Sequence, residues 1–161
     1  MTGRRFARAV AVVVAAACGL VALAGCSGLD DAADGVRSAA ASAQQAVADA
    51  QDAAKSAGSA LDQARASLGA LDATTRADVE SALTGAQQAV DKAQAALDGA
   101  SSDVSATADA ALVAAQAQLT AARTQLEAAR AEAGDTAGSA LDAAATQLAE
   151  LGDRLAQTSS D

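Results

Sequence analysis

The chain has 161 residues, of which 52% are apolar but only one, Phe6, is aromatic; Trp, Tyr, His and Pro are absent, and the net charge is −9. A composition led by alanine and free of proline excludes most β architectures and points to an all-α fold. Without histidine, and with Cys18 and Cys26 as the only thiols, the chain lacks the usual general bases, nucleophile pairs and zinc ligands. It is therefore expected not to be an enzyme and to carry no cofactor and no metal.

The first eight residues hold Arg4, Arg5 and Arg8, and the run 9–24 that follows holds no charge. A basic n-region before an apolar h-region is the pattern of an export signal. As a membrane span the run is short, because about 20 residues are needed to cross the hydrocarbon core and alanine is only weakly apolar. It closes on Leu23-Ala24-Gly25-Cys26. This tetrad resembles the lipobox of bacterial lipoprotein precursors: Leu at minus three, small residues at minus two and minus one, then Cys. The resemblance implies that Cys26 receives a diacylglyceryl thioether, that residues 1–25 are removed as a signal peptide, and that the freed amine of Cys26 is acylated, as with palmitate. It places the mature protein in the cell envelope, held by lipid on the extracytoplasmic face of a membrane. Each buried CH2 contributes about 0.8 kcal/mol, so two or more chains give a stable anchor where one gives reversible binding. Cys18 would leave with the signal and Cys26 would be consumed by lipid, so no disulfide is expected.

Beyond the signal, eight basic residues stand against twenty acidic ones, a net charge of −12. Such a surface repels phosphates and anionic head groups, and no nucleic-acid partner is expected. The acidic cluster Asp30, Asp31 and Asp34 lacks the alternating ligands, central glycine and distal glutamate of a calcium loop, and reads as the first turn of a helix.

In chain order, residues 26–35 read as a lipid-anchored tether and the start of the first helix, 36–157 as a helical bundle or coiled coil, and 158–161 as a flexible tail. A heptad grid governs the first helix, expected over 30–71: Ala33, Ala40, Val47, Ala54, Leu61 and Leu68 at a, with Val36, Ala43, Ala50, Ala57, Ala64 and Leu71 at d. All twelve positions are apolar, and alanines at g (Ala32, Ala39, Ala46, Ala53, Ala60) widen the stripe. Larger side chains keep the same step further on: Leu83, Val90, Leu97, Val104; Leu112, Leu119, Leu126; Leu141, Leu148, Leu155. Turns are expected where the seam changes phase. At 72–76, Thr75 with Asp78 resembles a capping box. At 134–139, Gly134 and Gly138 each cost a helix about 1 kcal/mol. A break at Gly99–Asp103 is left open, because the step from Leu97 to Val104 stays in register across it. Helices over 75–99, 102–133 and 136–157 then follow, and short connections imply antiparallel neighbours. Asp72 with Arg76, Glu127 with Arg130 and Glu150 with Arg154 lie at helical spacing as surface ion pairs.

Anchor and repeat together resemble the murein lipoprotein family, a lipidated heptad helix of the envelope. Members of that family join peptidoglycan through a C-terminal lysine, whereas this chain ends Gln157-Thr158-Ser159-Ser160-Asp161 and has its last lysine at Lys92. The functional expectation is a membrane-anchored structural spacer or protein-interaction module, with an unknown protein partner or self-association through the Ala/Leu seam. The alternative is a binding module that holds an apolar ligand or client between its helices.

Overall fold

A computed structural model describes residues 28–102 and 106–159, with side chains placed from Asp34 onward. The signal region, the lipobox and Cys26 lie outside the described residues. The described chain is all-α, as composition requires: α1 (Gly28–Ala66), a short 3-10 turn (Ser67–Ala70), α2 (Ala73–Ser102) and α3 (Ala106–Thr158). The last of these is two helices joined at a single residue, Gly134, whose φ of 60° and ψ of −154° are open to glycine alone. Its first arm, 106–133, and second arm, 135–158, fold back on each other. Arg130 forms an ion pair with Asp142, and one cleft is lined by both Gln116 and Gly152. In an unbroken helix those last two residues would stand about 54 Å apart at 1.5 Å per residue. Gly138, by contrast, is buried within the second arm, where a Cβ would sit 3.9 Å from Arg130 Cγ. The turn needs one glycine, and the other serves close packing.

Each sequential pair of helices is antiparallel. Gln51 of α1 donates to Asp98 of α2 at 3.3 Å, a Cβ on Gly85 of α2 would meet Gln125 of the first arm at 3.0 Å, and Arg154 of the second arm reaches back to Asp49 of α1 at 3.9 Å. The four helical segments form an up-down-up-down bundle, with α1 and the first arm of α3 at diagonal corners. The chain thus reverses between Ser102 and Ala106. From Leu97 to the next buried leucine, Leu112, is 15 residues, the same one-residue change of phase that separates Leu68 from Leu83 and Leu126 from Leu141; Val104, seven residues after Leu97, masks it in the sequence.

The antiparallel offsets stack the larger side chains in layers seven residues apart. Leu68, Leu83, Leu126 and Leu141 share one height, Leu61, Val90, Leu119 and Leu148 the next, and Ala54, Leu97, Leu112 and Leu155 the third, all of them buried. Alanines fill the spaces between, and no polar or charged residue is buried among the described residues. Burial of each Leu contributes about 1.5–3 kcal/mol, while alanine contributes chiefly helix propensity and close approach of the backbones.

The α1–α2 corner is built from side-chain contacts to backbone. Asp72, and not Thr75, caps α2: its carboxylate accepts from the amides of Thr74 and Thr75, both at 3.1 Å, and from the Thr75 hydroxyl at 2.8 Å. An aspartate at N-cap satisfies the first amides directly, which leaves Thr75 to brace the cap. These bonds, led by the Thr75 amide, hold the Asp72 carboxyl below its ordinary value. Arg76 does not pair with Asp72; its guanidinium donates to the carbonyls of Leu68, Gly69 and Leu71 at 3.1, 3.2 and 2.7 Å, closing the end of the preceding turn. Arg130 and Arg154 likewise turn from their helical-spacing partners to carboxylates across a helix interface, while Glu127 accepts from Arg123 at 2.9 Å.

Candidate functional site

The bundle proper starts near Val47. Ala50, Ala54, Ala57, Leu61, Ala64, Leu68 and Leu71 are buried, but the same seam at Ala40 and Ala43 is exposed, Val47 is half-buried, and Val36 is 70% exposed. The reason lies in chain length. With Gln51 beside Asp98, α2 runs out four residues later, and the second arm of α3, with Arg154 beside Asp49, ends at Thr158. Residues 28–46 therefore project beyond the bundle as a single helix, about 28 Å long at 1.5 Å per residue. The projection bears Asp34 and Arg37, joined at 3.0 Å, and presents an apolar stripe on one side.

Where the projection leaves the bundle, Ala40, Ala43, Gln44 and Val47 of α1 meet Ala100 and Ser101 of α2 in a cleft of 380 Å³. A second cleft of 250 Å³ lies between the arms of α3, lined by Gln116, Thr120, Arg123 and Asp153, and the Gln116 side-chain nitrogen there is shielded from solvent without a hydrogen-bond partner. Both are furrows between neighbouring helices. Among the described residues no three His, Cys, Asp or Glu side chains converge as a metal site, and no helix is long and apolar enough to cross a membrane.

One surface escaped the heptad analysis. On the first arm of α3, Leu112, Leu119 and Leu126 point inward, yet Ala110, Ala114, Ala117 and Ala121 repeat the three-four spacing on the outer side, all exposed, with Val113 beside them at 58% exposure. The middle stretches of α1 and α2 turn polar residues outward, as with Asp52, Lys55, Ser59 and Asp62 on α1 and Thr84, Gln88, Asp91 and Lys92 on α2. The signal was present in the sequence as a second alanine period alongside the leucine period, masked by the abundance of alanine. Val36 and Val113 are the large apolar residues the described fold leaves exposed, and each belongs to one of these two stripes. No family model, no curated protein and no solved structure matches the chain.

Proposed function

We propose that this chain is a lipid-anchored spacer and interaction module of a bacterial envelope, tethered through Cys26, with no catalytic role. The observation that carries the reading is adjacency: the chain is already helical at its first described residue, Gly28, two residues after the lipobox cysteine, so the helix nearest the anchor is the helix that enters the bundle. An acyl group on Cys26 would therefore be joined to an acidic four-helix body by a projecting rod, with little slack between them. The rod holds the bundle about 28 Å from the attachment point at 1.5 Å per residue. The −12 charge beyond the signal keeps the body from lying on anionic head groups. Recognition at such a surface would rest on the alanine stripes and not on a pocket.

The test is the intact mass of the protein extracted from a bacterial envelope, with a Cys26→Ser variant beside it. The expected product begins at Cys26 and carries acylated glycerol, and the variant is neither lipidated nor retained in the membrane fraction. A native product without lipid would overturn the reading.

A further inference from the structure

The projecting part of α1 is where the chain is easiest to divide. We infer that the peptide bond between Arg37 and Ser38 is a processing site, at which a protease selective for basic side chains separates the start of α1 from the bundle. The cut itself does not depend on lipidation of Cys26; that it frees the bundle from a membrane does.

A protease takes its substrate extended, so the residues on both sides of the bond must first leave the helix, and the rate of cutting follows the population of that opened state. Beyond Cys26 the chain has eight basic residues. Around Arg37, every residue over 34–41, from three before it to four after it, is exposed. Around each of the other seven the same span contains buried side chains: Ala53, Ala54 and Ala57 about Lys55, Ala64 and Leu68 about Arg65, Val79 about Arg76, Ala89, Val90, Ala93 and Ala96 about Lys92, and likewise about Arg123, Arg130 and Arg154. Opening those spans pulls residues out of the core, whereas opening 34–41 costs none of the described core.

The projection also holds itself weakly. Most helical stability in a protein comes from a packed face, which is lost here where the neighbouring helices end. Gly35, two residues before Arg37, has open space around it and lowers the helix preference further. The pair of Arg37 with Asp34 is 78% and 74% exposed, and a pair so exposed adds little.

The residues at the bond suit an enzyme of this class. The guanidinium would exchange Asp34 for the carboxylate at the base of the enzyme's specificity pocket. Val36 before it and Ser38 and Ala39 after it carry no charge to oppose binding. Arg37 is moreover the one basic residue between Cys26 and Lys55, and the buried residues of α1 begin at Ala50, so a single cut leaves the described core whole.

The inference is tested on the full chain, purified from a bacterial envelope in mild detergent, with dilute trypsin as the probe and products read by intact mass. The expected first product is the chain 38–161 with its helical circular dichroism kept. Arg37→Gln should lose that product and leave the slower cuts unchanged. The complementary fragment ending at Arg37 reports separately on the anchor, because its mass includes acylated glycerol or does not, whichever way the bond behaves. In the cells that naturally make the protein, a soluble chain beginning at Ser38 is expected, and Arg37→Gln should remove it. A first cut within residues 47–159, resistance of the native chain to trypsin at Arg37, or the absence of any chain beginning at Ser38 from those cells would each overturn it.

Discussion

The two halves of α1 carry one sequence pattern and meet two fates. From Ala50 to Ala64 the a and d positions are sealed against α2 and α3, whereas from Val36 to Ala43 the same positions, with similar residues, face solvent. Neither helix propensity nor amphipathicity separates them. The difference comes from the ends of other helices: α2 stops at Ser102 and the second arm of α3 at Thr158, so among the described residues nothing covers the first turns of α1. A heptad grid states which face of a helix is able to pack, and the lengths of its neighbours decide how much of that face does.

Matched substitutions in the two halves test this contrast, the strongest first. Leu61→Ala removes a fully buried side chain from the middle layer and is expected to cost about 2–5 kcal/mol, while Val36→Ala should lie within about 0.5 kcal/mol of wild type. Urea unfolding followed by circular dichroism compares the two. If Val36→Ala cost as much as Leu61→Ala, the projection would belong to the cooperative core. Enlarging an alanine reverses the chemistry and keeps the contrast: Ala54→Leu overfills a closed layer at about 1–3 kcal/mol, whereas Ala40→Leu should leave the melting temperature of the monomer unchanged.

Glycine gives a third comparison. At Gly134 the φ of 60° strains any other residue, and Gly134→Ala is expected to lose about 1–3 kcal/mol as the two arms of α3 are forced apart. Gly35, on the projection, has open space around it, so Gly35→Ala should raise helix content without moving the main transition. The smallest effect concerns the cap of α2. The Asp72 carboxyl is held below its ordinary value, so its contribution is complete above about pH 4 and disappears as the pH falls through the lowered value. The melting temperature of Asp72→Ala should thus lie below wild type from pH 7 down to about pH 4, and the two should converge in stronger acid; a constant gap would place the stabilisation elsewhere.

Much of the fold is legible in the residues themselves. The seven-residue leucine steps gave the layers, because only inward positions reward a large side chain, and the phase changes at Asp72 and Gly134 gave two of the turns. The turn after Ser102 carries the same one-residue change of phase, from Leu97 to Leu112, but Val104, seven residues after Leu97, obscures where it falls. Local chemistry was less legible still. Asp72 is a better N-cap than the Thr75 suggested by spacing, and Arg76, Arg130 and Arg154 each found a partner outside their own helical turn. Spacing along a helix describes opportunity within that helix and is blind to carbonyls and carboxylates brought near by packing. Of the surfaces read as candidates for interaction, the α1 stripe stood in the sequence, but its exposure did not. The stripe on the first arm of α3 emerged only when burial separated two interleaved alanine periods.

The core described above has no polar group within it, and this bears on how the molecule would respond to a pull along its axis. Hydrogen-bonded or charged pairs inside a bundle lock helices to one register, because sliding strands them without partners. Here the layers repeat every seven residues, one of them all leucine and the others carrying Val90 or Ala54 among their leucines. A helix displaced by one heptad would still meet an apolar layer, so register is held by polar contacts at the surface, Arg130 with Asp142, Arg154 with Asp49 and Gln51 with Asp98, together with the corner around Asp72 and Arg76. Under tension those surface pairs and that corner, and not the core, would bear the first load.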